Sequence, residues 1–318
     1  MLSSLAPIIG FAAFYFCILV LGTISGIFSE RAGIVNIAIN GFIVFGAIMY
    51  CLASVIVTDF VLGKKGGSAL WQIPLAIFAT LTTGVFALLF GLGTIKLKSD
   101  QTITGFATGI LATGIASILI LILLGIQGQG TEITLRGRAE LAWSEDTANL
   151  KNIVSFKTFA TLGVVFAAWF ALRKTKWGLR FRSVGENPQA SDVAGINVNK
   201  IKWQAVVLAG MVAGLAGSFF AQSRVAEFSI NKDVAGLGFL ALAIMITSRW
   251  KVSNAIIMSA IFAFMLSFSF YGGGFIPIKY KHLLQAVPYA ATLVVMVFTS
   301  RNTAGPAAAG VAYDKTKR

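Results

Sequence analysis

The polar side chains that fall inside or beside long apolar runs include Asn36, Asn40, Gln101, Thr102, Gln204, Gln222 and Asn254. All are neutral hydrogen-bonding groups. The chemistry they offer is recognition of a neutral, hydroxyl-rich or heterocyclic solute, or hydrogen bonds that hold helices together in lipid. Groups suited to bond-making are scarce. His282 is the only histidine, which leaves no histidine-based triad and no metal cluster; beside Lys281 at a loop edge it suits a solvated or interfacial position. Cys17 and Cys51 lie within apolar runs without metal-ligand spacing and are read as small buried hydrophobes. The sequence has no GxxxxGK[ST] phosphate loop, and Gly91-Leu92-Gly93 closes an apolar run instead of joining a strand to a helix. No catalytic residue and no metal ligand is assigned, and no cofactor is expected on this chain.

A membrane has to position these residues. The chain of 318 residues is 57% hydrophobic and 12% charged, whereas a soluble domain carries roughly 25% charged residues. Its apolar runs approach the length that crosses roughly 30 Å of hydrocarbon. Runs such as 110–126 are apolar on all sides and do not alternate as barrel strands do. The expected fold is therefore all-α, a single polytopic membrane domain over 1–318. It would have nine transmembrane helices, or ten if one polar segment crosses alone. Candidate spans are 8–26, 33–57, 71–93, 103–126, 153–172, 203–222, 235–248, 252–270 and 283–299. The N-terminus lacks the positive region and small-residue site of a cleaved signal and is read as a retained helix. Within the spans the only charged side chain is Lys157, close to one end, which argues against proton coupling. Energy for uphill transport would come from a partner.

Charge sets the orientation. The net charge is +14, from 26 Lys and Arg against 12 Asp and Glu, and the cations flank apolar runs. That pattern suggests topology and not nucleic acid. Segment 127–152 carries Glu132, Glu140, Glu145 and Asp146 against Arg136, Arg138 and Lys151, and is placed outside. Segment 173–202 carries seven cations against Glu186 and Asp192, and is placed in the cytoplasm. Lys96 and Lys98, Arg249 and Lys251, and a basic tail over 301–318 then fall inside; Lys64, Lys65, Lys279 and Lys281 fall outside, against the rule. Nine spans put the N-terminus outside, and ten put it in the cytoplasm.

Two polar, Gly-containing lead-ins interrupt the pattern: Phe28 to Gly41 (FSERAGIVNIAING) and Phe228 to Gly238 (FSINKDVAGLG). Each ends in Gly-Phe before an apolar run, and the topology sends one run outward and the other inward, as in an inverted repeat. Paired interrupted segments are where transporters place substrate sites near the midplane. Asn36, Asn40, Gly41, Gly238 and Phe239 are therefore the candidate path residues. Gly210, Gly214 and Gly217 share one helix face and are read as packing. In the cytoplasmic stretch, Asn187-Pro188 starts a short helix, Gly195 is placed to end it, and Glu186 and Asp192 are taken to lie near its start. Such a capped helix at the membrane surface suits docking of a soluble partner.

The stretches FSERAGIVNIAING, WGLRFRSVGENPQASDVAGINV and GFLALAIMITSRW resemble membrane permeases of bacterial ABC importers of the ribose and branched-chain amino acid type. The branch resembled is the one serving nucleosides or simple sugars, and the likeness runs from about Leu21 to Phe298. The resemblance implies a permease in the bacterial cytoplasmic membrane that pairs with a second related permease or a copy of itself. It would receive substrate from an extracellular lipoprotein and be driven by cytoplasmic ATPases that hold ATP and Mg²⁺. On that resemblance Gly185, Glu186, Asn187, Pro188, Ala190, Ala194, Gly195 and Ile196 form the ATPase-coupling segment, and Ser29, Glu30, Arg31, Gly33, Asn36 and Gly41 belong to a broken segment near the path. Where the family commonly reads NIGLEG the chain has NIAING, so Asn40 replaces an acid. The residues alone leave open a passive, stand-alone facilitator for small neutral solutes.

Overall fold

In lipid no water satisfies the backbone, so long apolar runs must close their own hydrogen bonds as helices. The computed structural model describes residues 2–58, 68–127, 140–222, 234–271, 281–299 and 305–314, and the helices there are α1 (Leu2–Arg31), α2 (Ile39–Ile56), α3 (Gln72–Gly91), α4 (Gln101–Gln127), α5 (Phe156–Lys174), α6 (Lys176–Glu186), α7 (Pro188–Val193), α8 (Val198–Gln222), α9 (Leu237–Thr247), α10 (Val252–Tyr271) and α11 (Lys281–Thr299). Lys64, Lys65, Lys279, most of the second lead-in and the last four residues lie outside this description, as does the side chain of His282.

Among the described residues, seven helices, α1 to α5, α8 and α10, are long and apolar enough to cross a membrane. The span expected over 235–248 is α9, whose 11 residues cover about 16 Å, roughly half the hydrocarbon thickness. It is a half-helix, which fits the expected discontinuous segments. Boundaries also move. The first span continues through Ser29, Glu30 and Arg31 to the end of α1, and the second begins at Ile39 and not near 33.

Residues 32–38 do not cross on their own. The start of α1 lies beside the outer loop, with Gly10 against the Thr147 carbonyl, and its end lies beside Glu186 in the cytoplasmic segment. The α1 N-terminal end is therefore on the side of the 140–155 loop, opposite the 173–202 segment. α1 and α9 run in the same direction, Gly22 facing Ala241 and Gly26 facing Met245.

The core is built around α1, α2, α3 and α8. A Cβ on Gly46 would lie 2.5 Å from Gly214, and one on Gly214 would lie 2.6 Å from Thr83, so α2, α8 and α3 approach at their backbones. This is the packing expected of Gly210, Gly214 and Gly217. Lipid gives little hydrophobic drive between helices, so close packing and interhelical hydrogen bonds hold the bundle. Ser25 Oγ donates to the Ala209 carbonyl at 2.8 Å, and Phe45 stacks on Phe86 at 4.1 Å.

Two features around α7 were not foreseen from the sequence. The basic flank before Asn187 is helical (α6), with the Thr175 hydroxyl capping its start by accepting from Gly178 N at 3.0 Å. The described part of the tail, 305–314, lies across the cytoplasmic helix ends, with Ala308 N donating to the Gly185 carbonyl at 2.9 Å and Lys98 paired with Asp314 at 3.2 Å.

Candidate functional site

The two lead-ins meet. Asn40, in the first turn of α2, accepts a hydrogen bond from Gly238 N at 3.1 Å through its Oδ1. Gly238 is in the first turn of α9, where backbone N–H groups lack helical partners. A Cβ on Gly238 would collide with Asn40 itself, so the contact requires glycine. From this junction α2 runs outward and α9 inward. Gly41 faces Gly109 of α4, where an added Cβ would lie 2.6 Å from the Gly109 Cα. Phe239 is 49% exposed, whereas Phe42 is fully buried against Phe86 and Phe90. The matching Gly-Phe pairs thus present their rings differently.

Residues 32–38, which enter this junction, are held from several sides. Gly33 has φ +81° and ends α1, with Gly33 N bonded to the Glu30 carbonyl at 2.9 Å and Ile34 N to the Ser29 carbonyl at 3.0 Å. Gln101 of α4 accepts from Val35 N at 2.7 Å. Asn36 Oδ1 accepts from Ala38 N at 3.1 Å, while its Nδ2 is buried without a hydrogen-bond partner among the described residues. Of the other polar candidates, Gln204 accepts from Trp177 Nε1 at 3.1 Å, so it holds helices together. Both side-chain polar atoms of Gln222 are buried without a partner among the described residues.

At the cytoplasmic face, α7 has the ends expected from its sequence. Asn187 Oδ1 accepts from Ala190 N at 2.9 Å, and Pro188 occupies the first helical position. Gly195 has φ +81° and closes the helix, with Gly195 N to the Asp192 carbonyl and Ile196 N to the Ser191 carbonyl, both at 2.9 Å. α1 and α7 therefore end in the same motif. Asp192 falls in the last turn of α7 and not near its start as the sequence suggested, whereas Glu186, the last residue of α6, directly precedes the Asn187 cap. A six-residue helix places Asp192 only two residues before its cap.

The coupling candidates divide into two groups. Gly185 faces inward, where a Cβ would strike the Arg31 carbonyl, whereas Glu186 is exposed, its carboxylate 3.7 Å from Arg31 and accepting from Ala307 N at 3.4 Å. Pro188 is also buried, whereas Ala190, Ala194 and Gly195 are exposed and Ile196 is partly covered. Exposure also reaches Gln189 and Val193, the latter 76% exposed. Sequence reasoning missed both; helical spacing from Ala190 and Ala194 was the available signal.

Inward of Gly185 lies a knot of the residues matched to the broken segment. Glu30 Oε2 accepts from Trp250 Nε1 at 2.6 Å, and Arg31 Nε donates to the Trp250 carbonyl at 3.1 Å. Arg249 and Trp250 both have positive φ, 55° and 52°, which non-glycine residues rarely adopt. Their turn joins α9 to α10, and its side-chain and carbonyl bonds to α1 hold it. The ends of α1, α6 and α9 and the tail strap thus form one connected unit under α7.

The model of the branched-chain amino acid transport system permease component matches residues 8–298. The nucleoside ABC transporter permease NupC of Lactococcus lactis is 33% identical over 305 residues, 94% of each chain. The guanosine ABC transporter permease NupQ of Bacillus subtilis is 32% identical over 309 residues, again 94% of each chain. An uncharacterised MG121 homologue of Mycoplasma pneumoniae is 36% identical over 304 residues, 94% of each chain. No solved structure matches the chain. With a family match from residue 8 to 298 and near full-length likeness to two transporter permeases, the chain belongs to the branched-chain amino acid transport system permease family.

Proposed function

We propose that this chain moves nucleosides into the cytoplasm by alternating access, as one half of the membrane pathway of an ATP-driven importer. The chain is a permease subunit of an ABC importer in the cytoplasmic membrane, and it is not an enzyme. Its family implies association with an ATPase and a substrate-binding protein. Two observations favour nucleosides as cargo. Relatives over 94% of the chain are nucleoside and guanosine permeases, and the polar groups beside the junction are neutral amides suited to a heterocycle and ribose hydroxyls. Simple sugars are the second class to test.

The observation that carries the reading is the Asn40–Gly238 hydrogen bond. It joins the starts of two helices that run to opposite faces, the arrangement in which transporters bind substrate. In the proposed cycle Asn36, Asn40, Gly41, Gly238 and Phe239 flank the path. The ATPase, which holds ATP and Mg²⁺, docks on Gln189, Ala190, Val193 and Ala194, and Gly195 and Ile196 fix that helix. Asn187 and Pro188 carry its motion to Gly185 and Glu186 and so to the end of α1. A second permease, related or a copy, and an extracellular lipoprotein complete the assembly.

The test uses the whole complex. Val193→Asp, Gly195→Pro and Glu186→Lys are each expected to abolish nucleoside uptake while the chain still inserts, and Val193→Asp also to release the ATPase in mild detergent. Wild-type uptake in all three would sink the coupling assignment. In liposomes, ATP turnover with sugar movement but no nucleoside movement would overturn the cargo assignment.

A further inference from the structure

A cavity of about 370 Å³ opens between the cytoplasmic ends of α5, α6 and α10, beside the end of α1. Its wall holds four cations, Arg31, Arg173, Arg182 and Lys251, and two indoles, Trp169 and Trp250. Among the described residues no carboxylate lines it. Of the nearest described acids, Glu30 accepts from the Trp250 indole, and Glu186 pairs with one of the four cations, Arg31, at 3.7 Å. The first-turn residues of α10, Val252, Ser253 and Asn254, also line the cavity, and the N–H groups of a first turn have no helical acceptor. Positive charge from side chains and backbone therefore converges on one volume with too little negative charge to balance it.

The surroundings indicate which anion. Trp169 lies one turn before Arg173 on α5, the aromatic-then-basic order found where a helix leaves the hydrocarbon. On the membrane side of the cavity, α5 exposes Phe166 (64%) and Phe170 (48%), and α10 exposes Ile257 (61%) and Ile261 (48%). A cationic pocket that continues into an exposed apolar strip fits a phosphate carrying acyl chains better than a free phosphate. Basic pockets between helices on the cytoplasmic side hold anionic headgroups in this way.

We propose that this cavity binds the phosphodiester headgroup of an anionic phospholipid from the inner leaflet, with the acyl chains lying along α5 and α10. A bound headgroup would tie the ends of α1, α5, α6 and α10 together, beside the unit that underlies α7. The inference does not depend on the identity of the cargo.

The test is native mass spectrometry of the full chain, delipidated in detergent and titrated with phosphatidylglycerol, phosphatidylcholine or inorganic phosphate. One phosphatidylglycerol should be retained, favoured over phosphatidylcholine by about tenfold or more. Arg173→Gln/Lys251→Gln should remove that preference. Lys96→Gln/Lys176→Gln, which neutralises two exposed cytoplasmic cations outside the cavity, should keep it. Lys251→Gln alone, with wild-type size-exclusion behaviour, guards against misfolding of the double variant and should weaken the preference part-way. Equal retention of the two lipids, or undiminished preference in both cavity variants, would overturn the proposal. Retention of inorganic phosphate, with loss of phosphatidylglycerol when phosphate is added, would show a free phosphate site and overturn the lipid assignment.

Discussion

Among the described residues, two charge clusters at opposite ends of the bundle are built differently. On the outer side, Lys157 lies 2.6 Å from Glu140, with side-chain exposures of only 4% and 9%. Asn152 completes the cluster, accepting from Lys157 at 2.6 Å and donating to Glu140 at 3.0 Å and to the Ser144 carbonyl at 2.7 Å. The ammonium also sits 5.5 Å from the centre of the Phe14 ring. On the inner side, Arg31 and Glu186 are 3.7 Å apart with side-chain exposures of 21% and 55%, and further cations beside them lack acids. The outer cluster is closed and fixes the loop 140–155 onto α1. The inner one is longer, more exposed and, among the described residues, short of acids.

This contrast predicts a ranking of substitutions. Lys157→Met would leave a buried carboxylate unpaired and should destabilise the chain by about 3–5 kcal/mol, seen as a lowered unfolding temperature in detergent. Adding Glu140→Gln should recover much of that loss; no recovery would mean that the pair itself is not what holds the loop. Trp250→Phe removes the indole donor to Glu30 and should cost about 1–3 kcal/mol, with reduced uptake because the turn joining α9 to α10 loses its anchor. Asn187→Ala deletes the cap of α7 and should cost about 1 kcal/mol, read as faster amide exchange over 188–196 with the outer loop unchanged. Glu186→Gln should be the mildest for stability, below about 1 kcal/mol. An unfolding temperature lowered as far as by Lys157→Met would erase the difference between the two faces.

Much of this organisation was legible in the residues. Asn187, Pro188 and Gly195 marked both ends of α7 because caps are local: each depends on one side chain or one φ angle within a few residues. The interrupted segments before α2 and α9 were visible as glycine and polar residues within apolar sequence, whereas 235–248 read as a full span and is the 11-residue α9. Less legible was α6, because Lys176, Arg180 and Arg182 within it and Arg173 and Lys174 before it read as a basic flank, while Phe181 and Val184, fully buried, supplied its inward face. The placement of Asp192 failed for a similar reason, since the length of α7 had to be known before its first and last turns could be told apart.

By itself the sequence determined that the chain is helical and spans a membrane, where α7 starts and stops, and which neutral amides are available. These follow from composition and from interactions within a few residues. Only the tertiary structure decided that Asn40 meets Gly238 across 198 positions of sequence, that Gly185 packs on the Arg31 carbonyl, and that four cations from four separate segments share one cavity. The reason is physical: in lipid, helix pairing rests on close packing of small residues and on single hydrogen bonds between distant segments. Such contacts leave no periodic trace in either partner.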